Sequence, residues 1–411
     1  MTLSPEIEGL RLLALQTSPA QWAREQGWKL QRAGNDIVGP CPKCGGTDRF
    51  GINTVTGDWL CRNCGVAGHD VISLVQHLEG LKFIPALERI TGRAAAAAID
   101  PTEAARVRAE NERREREQAA QNDRYREAAR RTAYTIWVER ARKPDWPISA
   151  DGSAVPRYLK RRGIDLGFAD HEWVHGDEIL LREVDEHPWR EQFTDERGYK
   201  AWRTVASAPA MIAPVQLADG KFGAVHQTWI DLRQPKGKLV LPPDEAGKER
   251  PAKKVLGAKK GGAIRLYTPD TAERIVMGEG IETTLTALAH AYQHGTAYWA
   301  GVDLGNMAGK ALRGPTGGQI HDQPDMDDLD CFLPPDWCEE LVFICDGDEP
   351  QKHTVEKVTR GLRRALRYRA MQRAERPELP PLSIMMVPPG EAGTDLNSIA
   401  MADAAAVRDG A

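Results

Sequence analysis

The sequence predicts a multidomain α+β chain whose last third is an α/β domain built on a parallel sheet. Three observations predict it. Three short apolar runs near the C-terminus each end in acids, two C-x-x-C pairs stand close together near the N-terminus, and a long charged stretch separates the two regions. A chain of 411 residues is expected to hold two or three domains with ample core. The formal charge of −4 is unremarkable. No apolar run approaches the 18 or so residues of a membrane span. The N-terminus lacks a basic region followed by an apolar stretch, so no signal peptide is expected. Four of the seven cysteines lie in C-x-x-C spacing, which fits a reducing cytoplasm better than a disulfide scaffold.

Residues 1–92 form the first expected domain. Its first 30 residues read as amphipathic helix anchored by Trp22 and Trp28. Cys41-Pro-Lys-Cys44 and Cys61-Arg-Asn-Cys64 then offer four thiolates to one tetrahedral Zn²⁺. The spacer around Phe50-Gly-Ile and Asp58-Trp-Leu alternates as a β-hairpin does. So small a unit has little core, and a structural zinc contributes roughly 10–16 kcal/mol. His69 is expected not to be a ligand, since four cysteines complete the set. Lys43, Arg49, Trp59 and Arg62, if exposed, are candidates for nucleic-acid contact, with bases stacking on the indole. Val71–Ile90 reads as one helix packed on the ribbon. Residues 93–148 are a linker: an alanine run, Asp100-Pro101, then a helix of arginine and glutamate held by i,i+4 pairs.

Residues 149–270 read as a mixed α+β segment. Arg157–Gly163 is a basic helix ending in glycine, and the strands Ala210–Leu217 and Gly223–Ile230 join at Asp219-Gly220. Lys253, Lys254, Lys259 and Lys260 lie among glycines, as in a loop that lets backbone and ammonium groups approach phosphates. The alternative is a plain basic surface loop. No G-x-x-x-x-G-K-[ST] motif occurs.

Residues 271–411 carry the acid-tipped strands. Arg274–Gly278 ends in Glu279-Gly280 and is followed by a helix from Ile281 to His290, Leu341–Cys345 ends in Asp346-Gly-Asp348, and Leu382–Val387 leads to Asp395 and Asn397. Uninterrupted apolar runs mark strands buried on both faces, and open α/β sheets bind ligands at their carboxyl ends. Two carboxylates about 4 Å apart repel by roughly 4 kcal/mol at an effective dielectric of 20. A protonated partner or a divalent cation would relieve that, and all-oxygen ligands favour Mg²⁺ or Mn²⁺. The competing reading is a solvated turn. Cys331, Cys338 and Cys345 lack ligand spacing and read as apolar residues.

Together, Glu279-Gly280, Asp346-Gly-Asp348 and Asp395-Leu-Asn397 resemble, in order and strand context, the topoisomerase–primase (TOPRIM) domain. With the four-cysteine ribbon upstream, the layout resembles DnaG-type and phage or plasmid primases, and the lysine and Glu279-Gly-Ile-Glu-Thr stretches look most like primase-like proteins of mobile elements. The resemblance implies an RNA primer synthesised on single-stranded DNA from nucleoside triphosphates. It implies Glu279, Asp346, Asp348 and Asp395 as catalytic and Mg²⁺- or Mn²⁺-binding residues, the lysines on phosphates, and the ribbon on the template. No helicase motor is evident, so a separate helicase is the expected partner. The sequence departs from the pattern at Thr283, where an acid is usual and Glu282 stands one place earlier, and at Asn397, where many primases have an acid. A TOPRIM nuclease would use the same acids. A haloacid-dehalogenase phosphatase needs a hydroxyl residue where Pro350 stands, and a non-catalytic zinc-ribbon DNA-binding protein would leave the three acid-tipped strands unexplained.

Overall fold

The computed structural model describes residues 4–94, 101–146, 152–166, 178–196, 199–245, 247–314, 319–347, 351–388, 390 and 393–409. The chain divides into two compact units, Met1–Asp123 with Arg313–Gln319, and Arg124–Leu312 with Ile320–Ala411.

The first unit opens with helices α1 (Pro5–Ala14) and α2 (Pro19–Glu25). In each, a serine caps the first turn and a proline occupies the first helical position, where its missing N–H is no loss. Five strands follow in sequential antiparallel order: β1 (Gln31–Ala33), β2 (Asp36–Cys41), β3 (Gly45–Asn53), β4 (Trp59–Cys61) and β5 (Val66–Gly68). The expected hairpin between the cysteine pairs is β3–β4. Its turn is set by Asn53, whose Oδ1 accepts from the amides of Val55 and Thr56, and by Gly57 at φ 77°. Where one helix was expected over Val71–Ile90 there are two, α3 (Val71–Glu79) and α4 (Phe83–Thr91). Gly80 takes the left-handed conformation at φ 69° and ends α3, and Lys82 starts α4 anew. Helix α5 (Pro101–Thr135) is the expected charged rod, with i,i+4 pairs such as Glu110–Arg114 and Glu112–Arg116, and it continues into a π turn at Ile136–Arg140.

Two sheets, of four and five strands, lie in the second unit. After α6 (Ala154–Arg161) come β6 (Arg182–Thr194), β7 (Lys200–Gln216), β8 (Phe222–Trp229) and β9 (Lys253–Gly257), an antiparallel sheet in sequential order. β7 and β8 turn at Asp219-Gly220 as the sequence predicts, with Gly220 at φ 78°. The remaining elements are β10 (Ile264–Tyr267), β11 (Arg274–Gly278), α7 (Ile281–His290), β12 (Thr296–Ala300), α8 (Leu304–Ala308), β13 (Ala311–Arg313), β14 (Gln319–Pro324), β15 (Glu340–Ile344), α9 (Gln351–Glu375), β16 (Ser383–Val387) and α10 (Leu396–Asp409). The second sheet runs β10-β12-β11-β15-β16, parallel throughout except for β10.

This sheet is covered on both faces, which explains the apolar runs. Tyr298, Ala300 and Ile344 pack with Ile281, Leu285 and Leu288 of α7, while Ile275, Met277, Trp299, Leu341 and Phe343 pack with Val358, Leu362 and Ala365 of α9. Alternate residues of each strand therefore serve opposite cores. The α7-side core also takes in Val155, Tyr158 and Leu159 of α6 and Met211 and Val215 of β7, so the segments 149–270 and 271–411 share one core. Cys331, Cys338 and Cys345 are buried and unbridged, as expected of apolar residues. Among the described residues no helix is long and apolar enough to cross a membrane.

Candidate active site and zinc ribbon

In the ribbon, the knuckles after β2 and β4 carry the thiols. All four Sγ atoms of Cys41, Cys44, Cys61 and Cys64 lie within 4.8 Å of one another, and Cys44 and Cys61 are 3.5 Å apart. A tetrahedral zinc with ~2.3 Å bonds sets its thiolates roughly 3.8 Å apart, so the residues fit one structural zinc. The Cys64 amide donates to the Cys61 sulfur at 3.4 Å, further favouring the thiolate. His69 instead pairs with Asp58 at 2.5 Å.

Trp59 requires a correction. It is 2% exposed, its Nε1 donates to the Asp70 carbonyl and the Ser73 hydroxyl at 3.1 Å each, and its ring stacks on His77 at 5.4 Å. It pins α3 to the ribbon and presents no face to a base. Lys43, Arg49 and Arg62 are exposed. Lys43 Nζ donates to the His77 carbonyl at 2.8 Å, and Arg62 lies 3.9 Å from Asp48.

In the parallel sheet, β11 is followed by β12 on one side and β15 on the other, and the helices after β11 and β15 cover opposite faces. The chain therefore reverses its winding between β11 and β15, the place where open α/β sheets bind ligands. Glu279 and Asp346 stand at the carboxyl ends of these two neighbouring strands. Gly278 lets the strand end press on α7, since a Cβ there would lie 2.9 Å from the Thr283 methyl. The Thr283 hydroxyl donates to Asp346 Oδ1 at 3.4 Å. The turn after Asp346 is bonded to the next loop: the Gly347 amide donates to the Thr394 carbonyl, and the Gly393 amide to the Gly347 carbonyl. That brings Asp395 to the same end of the sheet. Asp395 Oδ1 also caps α10 through the Ser398 amide at 2.6 Å. Asp348 lies outside the described residues. Among those described, Glu279, Asp346 and Asp395 do not gather with their oxygens within 4.8 Å of one another. Asn397 is a tie between helices: fully buried, it donates to the Arg162 carbonyl and to Thr286 Oγ1.

The lysine loop is in part a strand. Lys253 and Lys254 belong to β9, whose register with β8 runs Thr228↔Lys253 to Ala224↔Gly257. Lys253 Nζ donates to Glu282 at 2.9 Å, Lys254 Nζ sits 3.2 Å above the Trp189 ring, Lys259 pairs with Asp303, and Lys260 lies 3.1 Å from Asp330. Beside Asp303, Val302 holds φ at 71°, strained for a β-branched residue. Asn306 fixes this strand end, accepting from the Gly261 amide and donating to the Gly262 and Gly301 carbonyls.

Sequence reasoning missed a buried ion cluster one turn from Glu279. Glu282, 4% exposed, accepts from the Tyr158 hydroxyl at 2.6 Å, from Lys238 at 3.0 Å and from Lys253 at 2.9 Å. Burial alone would raise the Glu282 carboxyl, but Lys253, Lys238 and Tyr158 outweigh it and hold it well below the carboxylate range. Burial pushes the Lys238 ammonium down to about 8 despite Glu282, and burial and Glu282 together push the Tyr158 hydroxyl well up. His226, fully enclosed beside Lys253, is driven to about 3 by burial and then by that charge, and stays neutral. The displaced acid at 282 was the available signal, but its partners lie 29 to 124 residues away in the chain. A cleft of about 750 Å³ lined by Arg274, His294 and Glu340 opens at the opposite ends of the strands. The Arg274–Glu340 ion pair there leaves little free chemistry, and ligand binding belongs to the carboxyl ends.

Residues 38–72 match the family described as the zinc-binding domain of primase-helicase, and residues 129–266 match a domain of unknown function, DUF7146. No curated protein matches the chain. Among solved structures, the chain is similar to the zinc-binding and RNA polymerase domains of the Aquifex aeolicus primase, with 13% identity over 99% of this chain and 86% of that one and a TM-score of 0.32. It is also similar to a DNA primase domain from Pseudomonas aeruginosa, with 14% identity over 62% and 70% and a TM-score of 0.31. The four cysteines thus form a zinc-binding ribbon of the primase–helicase type, joined to a mixed α+β unit.

Proposed function

We propose that this chain is a DNA primase that makes short RNA primers on single-stranded DNA by metal-dependent nucleotidyl transfer. The observation that carries the reading is the pair Glu279 and Asp346 on neighbouring parallel strands at the point where the winding of the sheet reverses. The primase-type ribbon at residues 38–72 supports the same reading. The donors are all oxygens, suited to Mg²⁺ or Mn²⁺. Asp346 and Glu279 would hold the ion with Asp348. Asp395 would add to the set, because a carboxylate that caps with one oxygen keeps a second. A divalent cation bound there would neutralise triphosphate charge and favour attack by a 3′-hydroxyl. Thr283 orients the Asp346 carboxylate, and Glu279 serves as a further ligand or the general base. Lys253, Lys254, Lys259 and Lys260 contribute positive potential for nucleotide phosphates or template, while the ribbon's exposed Lys43, Arg49 and Arg62 face the template. A separate helicase would do the unwinding.

The test is incubation with single-stranded templates, four nucleoside triphosphates and Mg²⁺ or Mn²⁺. New oligomers are expected, and Asp346→Asn should abolish them with zinc content and folding unchanged. Template fragments in place of oligomers would assign the same acids to a nuclease. Full synthesis by Asp346→Asn would remove the catalytic assignment altogether.

A further inference from the structure

Among the described residues no third strand pairs with the ribbon formed by β6 and the first half of β7. Register pairing of β7 with β8 begins at Ala210↔Trp229, and the Pro209 carbonyl already accepts from the Ile230 amide, so the strand from 200 to 208 pairs with β6 alone. In an antiparallel pair, directly opposed residues share a face and alternate residues change face. The register Arg190↔Thr204, Gln192↔Trp202 and Thr194↔Lys200 therefore places these six side chains together. All six are exposed, and Trp202 is 67% exposed.

The two faces differ in charge. On the opposite one, Glu191 accepts from Arg203 at 2.8 Å and from Arg250 at 2.7 Å, and Arg203 covers the Phe193 ring at 5.2 Å. That face is packed and self-neutralised. The six side chains grouped around Trp202 include two cations and no carboxylate. Two residues of strand span about 7 Å, so the indole has Lys200 about that far along its own strand, and the Arg190–Thr204 pair about as far in the other direction.

We infer that this face binds single-stranded nucleic acid, a base stacking on Trp202 while Lys200 and Arg190 meet the phosphates on either side. Stacking on an aromatic tolerates any base, and cations along the strand supply the salt-dependent part of affinity. Only the identification of that strand as a primase template rests on the function proposed above. The face also takes the role that buried Trp59 cannot fill.

The test uses the whole zinc-loaded protein and a fluorescent 16-nucleotide oligothymidylate, with no nucleotides and no divalent cation added beyond the bound zinc. Anisotropy should show Trp202→Ala weakening binding at least about fivefold, with Trp202→Phe recovering most of it. Replacing both Lys200 and Arg190 by alanine should reduce the slope of log affinity against log salt by roughly 1.4. A bromodeoxyuridine oligomer should photocrosslink to the peptide holding Trp202. A Trp202→Ala protein that binds like wild type, or crosslinks confined to other peptides, overturns the inference and leaves the face to a protein partner. Because binding is read without synthesis, a wild-type protein that makes no primers removes the primase reading and leaves this one standing.

Discussion

Replacing Glu282 by alanine should be among the most costly single changes in the second unit. The carboxylate is 4% exposed and receives three hydrogen bonds, two from ammonium groups. Removing one member of a buried ion set typically costs about 3–5 kcal/mol, because the remaining charges stay desolvated without a partner. Here the lysine side chains keep 25% and 35% of their surface, so water can reach them and the lower figure, about 3 kcal/mol, is expected. A urea titration read by hydrogen exchange of the α7 amides separates this unit from the ribbon. Replacing Glu282, Lys238 and Lys253 together by leucine and two methionines should recover most of the loss. The acid limb has a definite sign. The folded carboxyl lies below its ordinary value of 4.5, so its stabilisation is present above pH 4.5 and is lost as pH falls below it. Lys238 gives the same sign in a higher window. Its folded value of about 8 lies under the ordinary 10.5, so the unfolded chain binds more protons between these values and stability rises with pH across that window. A loss under 1 kcal/mol in Glu282→Ala, with the acid limb unchanged, would refute the cluster as a structural tie.

The ribbon gives two further expectations. Metal analysis should return one zinc per chain, and Cys61→Ser should lose it together with exchange protection in β2–β5; a metal-free wild type with full protection would contradict the fit of the four thiols. Trp59→Ala should destabilise the ribbon by about 3–5 kcal/mol, as core tryptophan truncations do, and any loss of template binding should track unfolding. A folded Trp59→Ala ribbon with selectively lost DNA binding would restore the stacking role that its burial denies.

What could be read from the sequence was set by local rules. The cysteine pairs, the β7–β8 turn at Asp219-Gly220, helix α7 and the three parallel strands carry their signals in spacing, turn residues or unbroken apolar runs, and each appears within a residue or so of its expected limits. The break at Gly80 is also local, but apolar residues continue on both sides of it, so the helical periodicity reads straight through. Trp59, the lysines and Glu282 were not legible in this way. An indole in an alternating hairpin is as apt to face a base as a helix, and only the packing of α3, eleven and more residues downstream, decides between them. Four lysines among glycines read as a loop because the acids that hold three of them lie 29 to 70 residues further on.

The position of the Glu282 cluster suggests why a buried charge set, a poor source of net stability, stands there at all. Its members come from α6, from the segment after β8, from β9 and from the first turn of α7, so a single carboxylate ties the antiparallel sheet to the helix that follows Glu279. Apolar packing could hold those elements together with equal strength but with less geometric definition. Three hydrogen bonds of 2.6 to 3.0 Å fix the first turn of α7, and with it Thr283, whose hydroxyl meets Asp346. A side chain that must present an oxygen to a metal or a substrate needs its support locked by packing and hydrogen bonds. On that argument Glu282→Gln, which keeps an acceptor but loses the charge, should disturb the Asp346 end of the sheet more than its modest change in size would suggest.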